Sequence, residues 1–438
     1  MHRSIPRAAF VALAILGAAG CDEPTSTGGT TAAAGAGTSP YQEIYDAGLV
    51  RYVGTPQVKP TSVTSGGYTR IDVHHFASET NGERGPVCMR GHEFFVETRA
   101  GSSDELLVFL EMGGVCLDEI CGATADPTLN LRTFTTGDLI GLGGILDRTD
   151  RTNPLANADV VHIPYCDGSI FMGDVDRPLS DGHALNGPND PAFQRGLLNL
   201  TAALETAHRV FPNPSRIVLA GSSGGAYGVI AATALTRFYY PGKDVLVVSD
   251  SGAPILREQD PDFVRRTLEQ IDALKFIPPS CSGCIDDGHV TGVIEWALER
   301  DPRLAIASMT HIPDHVIGNE FMDSTNLEFE TAWLRESQEV ASRFPTRYHR
   351  FIAPGDRHTF LLDVGKVPLL MQKVALYAFG PVLFTGDTFT RNDLSTWTLG
   401  SLGEKVTDLR GRDTTPLAWL TGVLRAPAQT TDVVDLLP

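Results

Sequence analysis

Apolar runs of strand length alternate with helical patterns along most of the chain. The runs occupy residues 106–110, 160–164, 216–220, 245–248, 304–307 and 348–353, and the clearest helical patterns occupy 191–211 and 226–239. Strands buried on both faces of a parallel sheet are apolar almost throughout, and helices supply the crossovers between them. The pattern therefore predicts an α/β fold with a doubly wound, mostly parallel sheet and helices on both faces.

The amino-terminal segment predicts export and a membrane anchor. Residues 1–21 have a basic start and an apolar run too short to span a bilayer, followed by small residues and Cys21. This ending resembles a bacterial lipoprotein signal and predicts a lipid on Cys21; the alternative is an ordinary cleaved signal peptide. Residues 22–40 contain no large apolar side chain and predict a flexible tether. The expected location is the bacterial cell envelope, on its periplasmic face or at the cell surface.

Charge and length narrow the partners and the domain count. The 438 residues include 53 acidic and 35 basic side chains, a formal net charge of -18. Such a charge repels phosphate backbones, so we expect no nucleic-acid partner, and it disfavours anionic polysaccharides at long range. Beyond residue 40, the length fits one large domain at 41–384 and a tail at 385–438 that packs on it.

Six cysteines remain when Cys21 is set aside, an even number that is typical of disulfides in an exported chain. Many pairings are possible, but the close spacings favour two local bridges and leave one long-range pair. The expected pairs are Cys116–Cys121, Cys281–Cys284 and Cys88–Cys166. The CSGC segment at 281–284 also fits a redox or metal motif, but no second CxxC or spaced histidine pair accompanies it. We expect structural disulfides and no metal.

The segment GSSGG at 221–225 has the GxSxG pattern of a serine nucleophile. A predicted strand precedes it and a predicted helix follows it, which is the context that a nucleophile elbow requires. The turn projects Ser223 above the sheet and puts the N–H of Gly224 at a helix N-terminus, where it can stabilise an oxyanion. The alternative is a glycine-rich turn with a capping serine.

A second glycine turn follows the first predicted strand. Its N–H groups at Gly114 and Val115 are candidates for the other half of an oxyanion hole. Glu111, at the end of the same strand, is interpreted as structural.

His358 and two aspartates are candidates for the base and the acid. Hydrolases with this elbow run serine, acid, histidine along the chain. His358 follows the last predicted strand, where its loop can bring an imidazole over Ser223. Asp250 and Asp314 each follow an intermediate strand, whereas Asp356 lies too close to His358 along the chain to orient its ring. The residues alone leave both Asp250 and Asp314 open as the acid.

Five segments carry a resemblance to known enzymes: VCMRGHEFFVE (87–97), LEMGGVC (110–116), PYCDGSIFMGD (164–174), GSSGG (221–225) and VSDSGAP (248–254). In this order they resemble the pectin acetylesterases and the related Notum-type carboxylesterases. Val115 stands where the family usually has tryptophan, and Gly224 where it usually has alanine. The resemblance implies an α/β-hydrolase fold and serine ester hydrolysis, but it does not imply pectin as the substrate.

The resemblance also implies roles for individual residues. It favours Asp314 over Asp250 as the acid, because the family's acid lies in the later segment, and it is consistent with His358 in a late loop. Residues expected at the substrate pocket are Asp167, Ser169, Phe171 and Asp250. The alternative for the loop at 164–174 is a structural corner that Cys166 holds.

The expected function is an exported, lipid-anchored serine carboxylester hydrolase that removes short acyl groups such as acetyl, without a cofactor. Its expected partners are an ester substrate, either an acylated polysaccharide or a small acyl ester, and the membrane through Cys21. One alternative is a hydrolase of longer acyl esters, as in Notum-type relatives. The other is a non-catalytic surface lipoprotein that binds glycans.

Overall fold

A computed structural model describes residues 39–66, 71–89, 91–113, 115–117, 143–178, 191–252, 254, 257–362, 400–407 and 411–434. The predicted signal, most of the predicted tether, Gly114 and Cys121 lie outside these residues, as does the start of the predicted tail. The described residues from Pro40 onward belong to one compact unit.

Ten of the described strands form one sheet. In chain order they are β1 (Ser62–Gly66), β2 (Ile71–His75), β3 (Phe95–Arg99), β4 (Glu105–Leu110), β5 (Asp159–Ile163), β6 (Arg216–Ser222), β7 (Asp244–Asp250), β8 (Leu304–Ile312), β9 (Tyr348–Pro354) and β10 (Val433–Val434). Their spatial order is β1-β2-β3-β5-β4-β6-β7-β8-β9-β10. The three pairs from β1 to β5 are antiparallel, and all later pairs are parallel. The predicted mostly parallel sheet is confirmed.

Helices pack on both faces of this sheet. The longer ones are α1 (Gly196–Val210), α2 (Gly224–Tyr239), α3 (Asp262–Gln270), α4 (Thr291–Arg300), α5 (Asn326–Arg343) and α6 (Pro416–Arg425). Successive residues of β4 alternate between two cores: Leu106 and Val108 join one that includes residues of α1 and α2, whereas Leu107 and Phe109 join one that includes residues of α6. The alternation follows from the two-residue period of a strand.

Shorter elements complete the described fold. Helical turns occupy Gln42–Ile44, Tyr45–Leu49, Pro56–Val58, Gly144–Leu146, Leu274–Phe276, Pro279–Cys281, His315–Phe321 and Pro427–Gln429. Three two-stranded ladders pair Glu79–Thr80 with Glu83–Arg84, Val175–Pro178 with Pro191–Gln194, and Val406–Thr407 with Asp413–Thr414.

Two sequence-based boundaries change. The helix predicted at 191–211 begins only at Gly196, because Pro191–Gln194 pairs as a strand with Val175–Pro178. The helix predicted from 226 begins at Gly224, directly after Ser223. The first shift arises from a tertiary contact that overrides the local pattern. The second is within the one or two residues by which helix ends vary.

The described part of the tail packs against the sheet. Trp419 and Leu420 of α6 are buried in the core on one face, and β10 adds a parallel strand beside β9. Arg350 of β9 pairs with Asp432, with Nε 2.7 Å from the carboxylate. These contacts extend the fold at an edge far from the centre of the sheet.

Two of the expected disulfides are present, Cys88–Cys166 and Cys281–Cys284. Cys116 is also disulfide-bonded, and its expected partner Cys121 lies outside the described residues. Among the helices that the structure describes, none has the length and apolar character that a membrane span needs.

Candidate active site

Ser223 occupies a sharp turn between β6 and α2. Its backbone φ is 54° and ψ is -120°, a conformation that a non-glycine residue rarely adopts and that persists only where surrounding contacts hold it. A Cβ at Gly221 would overlap the backbone of Gly225, so the close turn requires glycine there. The backbone N–H of Ser223 donates to the carbonyl of Asp250 at 2.9 Å. The turn has the geometry expected of a nucleophile elbow.

The second glycine turn lies against this elbow. A Cβ at Gly224 would come within 2.6 Å of the carbonyl oxygen of Gly113, which shows how closely the two backbones approach. Gly113, Val115, Ser223 and Gly224 all line one cavity. Gly224 is the first residue of α2, so its N–H points out of the helix N-terminus. Gly114 lies outside the described residues.

Asp314 and His358 form a buried pair. The Nδ1 atom of His358 is 3.0 Å from each carboxylate oxygen of Asp314. Asp314 follows β8, is 0% exposed and accepts the backbone N–H of Ile317 at 3.1 Å. The pairing fixes the imidazole plane and leaves Nε2 as the atom that can exchange a proton.

The carboxyl ends of parallel strands bring these residues to one edge of the sheet. Ser223 follows β6, Asp314 follows β8 and His358 follows β9. Open parallel sheets bind ligands at this edge. The hydrogen bonds of the described residues join His358 to Asp314 and include none between Ser223 Oγ and His358. Catalytic hydrogen bonds often tighten only when substrate is bound.

Asp250 lies elsewhere than the sequence predicted. Its side chain is 0% exposed and is not among the residues that line the cavity. The carboxylate accepts the hydroxyl of Ser222 at 2.8 Å and the backbone N–H groups of Phe360 and Leu361 at 2.9 Å each. Burial raises the pKa of Asp250 to about 6, and these hydrogen bonds limit the rise. Asp250, expected at the pocket, is therefore an internal contact outside the described cavity lining, and Asp314 is the carboxylate hydrogen-bonded to His358.

The loop at 164–174 also differs from expectation. Phe171 lines the cavity, but Asp167 and Ser169 are 1% and 0% exposed and are absent from its lining. Ser169 Oγ donates to Asp167 and accepts the N–H of Gly173 at 2.9 Å. Burial raises the pKa of Asp167 to about 7, although its hydrogen bonds oppose the rise. For these two residues the structural-corner alternative describes the geometry, and only Phe171 keeps its expected place.

Glu111 connects the end of β4 to the loop that follows β5. Its carboxylate accepts the backbone N–H of Tyr165 at 3.2 Å. Burial raises its pKa to about 7, and the charge of His162 partly opposes the rise. The position is consistent with the structural role inferred from the sequence.

The cavity beside Ser223 is almost entirely apolar. Its volume is about 190 Å³, and no charged side chain is among the described residues that line it. One face of α2 runs along it, through Gly224, Tyr227, Ile230, Ala231, Ala234 and Leu235. At about 1.5 Å per residue this stretch of helix is about 16 Å long. The cavity therefore extends well beyond the serine.

Residues 41–49 close part of this cavity, which the sequence did not indicate. Tyr41, Ile44 and Leu49 are lining residues, and Tyr45 Oη donates to the carbonyl of Ala234 at 2.8 Å. Apolar residues in this segment were the available signal, but a short helical turn carries no periodicity long enough to assign a face.

Residues 70–272 match the pectinacetylesterase family. The match covers less than half of the chain. The matched stretch, here called the pectinacetylesterase segment, contains Ser223 and the second glycine turn but ends before Asp314 and His358. The assignment of the acid and the base therefore rests on geometry.

Curated relatives of this pectinacetylesterase segment have esterase names. Palmitoleoyl-protein carboxylesterase notum1' of Xenopus laevis is 31% identical over 156 residues, covering 33% of this chain and 30% of the relative. Palmitoleoyl-protein carboxylesterase NOTUM of Homo sapiens is 29% identical over 36% of this chain and 32% of its own length. Pectin acetylesterase 7 of Arabidopsis thaliana is 30% identical over 39% of this chain and 43% of its own length. The chain thus spans less than half of each of these relatives.

Proposed function

We propose that this chain is a serine carboxylester hydrolase in which Ser223 is the nucleophile and His358 the general base. The observation that carries the proposal is the buried Asp314–His358 pair at the same sheet edge as the strained turn of Ser223. The esterase names of the relatives support the same reaction class.

The proposed reaction follows the acyl-enzyme route. Nε2 of His358 takes the proton of Ser223 as the serine oxygen attacks the ester carbonyl, while Asp314 stabilises the imidazolium and holds its tautomer. The N–H groups of Gly224 and Val115, with that of Gly114, stabilise the oxyanion. His358 then gives the proton to the leaving alcohol as the ester C–O bond breaks. In the second half, His358 deprotonates a water molecule that attacks the acyl carbonyl, and it returns this proton to the Ser223 oxygen as the acid leaves.

The apolar cavity favours an acyl chain longer than acetyl. A volume of about 190 Å³ is larger than an acetyl group fills. Because the lining residues that the structure describes include no charged side chain, burial of methylene groups supplies the binding free energy, at about 0.8 kcal/mol each. We therefore favour medium or long acyl esters over the acetyl esters that the sequence first suggested.

Acetyl-ester hydrolysis is the second candidate. The pectinacetylesterase match of residues 70–272 and the plant relatives support it. The net charge of -18 opposes a polyanionic pectin as the acetylated polymer.

A fluorophosphonate probe tests the nucleophile. We expect stoichiometric labelling of Ser223, blocked by heat denaturation and lost in Ser223→Ala with an unchanged melting temperature. Absence of labelling in the folded wild-type chain would contradict the proposal and would favour the glycan-binding alternative.

A series of p-nitrophenyl esters from acetate to palmitate separates the two acyl classes. We expect kcat/KM to rise from acetate to octanoate by about tenfold or more, because each added methylene is buried. A steep fall from acetate to octanoate would reject the longer chain and select the acetyl esterase.

We also propose that the chain is exported and anchored in the cell envelope through a lipid on Cys21. The Cys88–Cys166 and Cys281–Cys284 disulfides fit an oxidising compartment. In a bacterial host, the wild-type chain should fractionate with membranes and incorporate labelled palmitate, whereas Cys21→Ala should lose the label. Equal labelling of both chains would reject Cys21 as the lipid site.

A further inference from the structure

The serine turn and the histidine loop are distant in sequence and must keep a fixed separation for proton transfer. The turn is at the end of β6 and the loop follows β9, with β7 and β8 between them in the sheet. No hydrogen bond among the described residues joins Ser223 Oγ to His358. Their separation therefore depends on the sheet between them and on contacts other than a direct hydrogen bond.

Asp250 makes contacts with both segments. It ends β7, where it lies directly beside Ser222 in the sheet register. Its carboxylate accepts the Ser222 hydroxyl on one side and the N–H groups of Phe360 and Leu361 on the other. Its backbone carbonyl accepts the N–H of Ser223 at 2.9 Å. Asp250 thus binds the side chain of Ser222, the backbone of Ser223 and the backbone of the two residues after Thr359.

The contacts coincide with a cluster of unusual backbone conformations. Ser223, Ser251 and Thr359 have φ values of 54°, 58° and 63°, and none of them is glycine. Such a conformation is unfavourable for a residue other than glycine and persists only where neighbouring contacts determine it. The N–H of Thr359 donates to Ser251 Oγ at 2.9 Å, so this second contact runs parallel to those of Asp250.

We propose that Asp250 is a positioning residue that ties the serine turn to the histidine loop and so sets the distance between Ser223 and His358. The inference rests on the proposed function. Asp250 acts through backbone groups and not as the acid, since the His358 imidazole is hydrogen-bonded to Asp314. Complete burial keeps water from competing for its oxygens.

The central test is Asp250→Asn. Oδ2 of Asp250 accepts all three groups, and Oδ1 accepts the N–H of Phe360 a second time at 3.0 Å. Asparagine keeps the shape but only one acceptor oxygen, so its NH2 group faces the Phe360 N–H in one orientation and all three donors in the other. A displacement near 1 Å costs about 100-fold in rate, so we expect kcat for p-nitrophenyl butyrate to fall about 10- to 100-fold with KM within about twofold. The fluorophosphonate labelling rate should fall in parallel.

Asp301→Asn is the matched control. Asp301 is also buried, at 2% exposure, and binds Arg237 Nε at 2.8 Å, but it precedes β8 at the opposite edge of the sheet. We expect this variant to lower the melting temperature while kcat of the folded protein stays within about twofold.

Two smaller changes keep the inference testable if Asp250→Asn does not fold. Ser222→Ala removes one carboxylate contact and Ser251→Ala removes the parallel contact to Thr359. Each should lower kcat by a smaller factor, and the double variant by more than either, again with little change in KM. Unchanged kcat in all folded variants, or a loss confined to KM, would overturn the inference. Absence of wild-type labelling at Ser223 would instead reject the proposed function itself.

Discussion

At the scale of single residues, the site depends on a serine in a strained turn and on a pair of side chains that no local motif joins. Ser223 was identified from five consecutive residues. Asp314 and His358 lie 44 positions apart, and their 3.0 Å contact exists only because two strand ends meet at one sheet edge. Asp250 also comes at the end of an apolar strand, but its carboxylate binds a serine hydroxyl and backbone N–H groups instead of an imidazole.

Replacing the acid tests this pair. We expect Asp314→Asn to lower kcat by about four orders of magnitude with KM little changed, because the amide favours the wrong histidine tautomer and cannot stabilise the imidazolium. Asp356→Asn is the control, since Asp356 is exposed in the same loop as His358. Steady-state kinetics at constant pH measure both. Equal losses in the two variants would indicate that the loop, and not the carboxylate contact, matters.

Glu111 gives a pH prediction. Burial raises its pKa from 4.5 to about 7 in the folded chain. Between about pH 4.5 and 7 the folded state then binds more protons than the unfolded state, so the free energy of unfolding falls as pH rises through this range. Glu111→Gln removes this dependence. The difference in unfolding free energy between the variant and wild type should therefore be more favourable to the variant at pH 8 than at pH 4.5, by at most about 3 kcal/mol. Thermal unfolding at both pH values measures the difference. A difference that is independent of pH would contradict the raised pKa.

At the scale of elements, α2 has two functions on different parts of its surface. The N–H of its first residue, Gly224, lies at the helix N-terminus and is our proposed donor to the oxyanion, and the face from Tyr227 to Leu235 lines the cavity. From sequence, the apolar spacing of this helix predicted only a core-facing stripe. Both a packed core and an acyl cavity require apolar side chains at helical spacing, so the pattern cannot separate them.

A filled cavity should shorten the accepted acyl chain. Ala231 lines the cavity and is half-buried. We expect Ala231→Phe to lower kcat/KM for p-nitrophenyl octanoate at least tenfold relative to acetate, because the added ring occupies the volume that the chain needs. Ala231→Ser, which adds little volume, should leave the ratio close to that of wild type. An equal fall for both esters in Ala231→Phe would place the acyl chain elsewhere.

At the scale of the whole molecule, the two described disulfides close loops of very different length. Cys88–Cys166 joins the hairpin region before β3 to the loop after β5, across a separation of 78 residues. Cys281–Cys284 closes a separation of only 3. In the chain-entropy description, the longer loop restricts the unfolded chain more.

The two bridges should therefore differ in stability. We expect the double variant Cys88→Ser, Cys166→Ser to lose about 4 kcal/mol of unfolding free energy, and Cys281→Ser, Cys284→Ser about 2 kcal/mol. Denaturant unfolding monitored by tryptophan fluorescence measures both values. The reverse order would show that native contacts at the short loop outweigh chain entropy.

The sequence alone determined the central elements of this protein. Buried parallel strands such as 216–220 are continuous apolar runs, and the glycine–serine turn after them is local, so both were recognised without any partner. The antiparallel strands β1 to β3 were not predicted, because short strands such as Ser62–Gly66, with Val63 as its only large apolar residue, lack an apolar run.

Only the tertiary structure decided which carboxylates serve which purpose. Asp167, Asp250 and Asp314 all follow apolar strands, but their roles depend on whether a backbone N–H, a hydroxyl or an imidazole reaches them. Those contacts come from segments far away along the chain, as when Phe360 and Leu361 satisfy Asp250. The pattern along a chain specifies burial and local geometry, whereas hydrogen-bond partners between distant segments are specified only when the sheet brings their ends together.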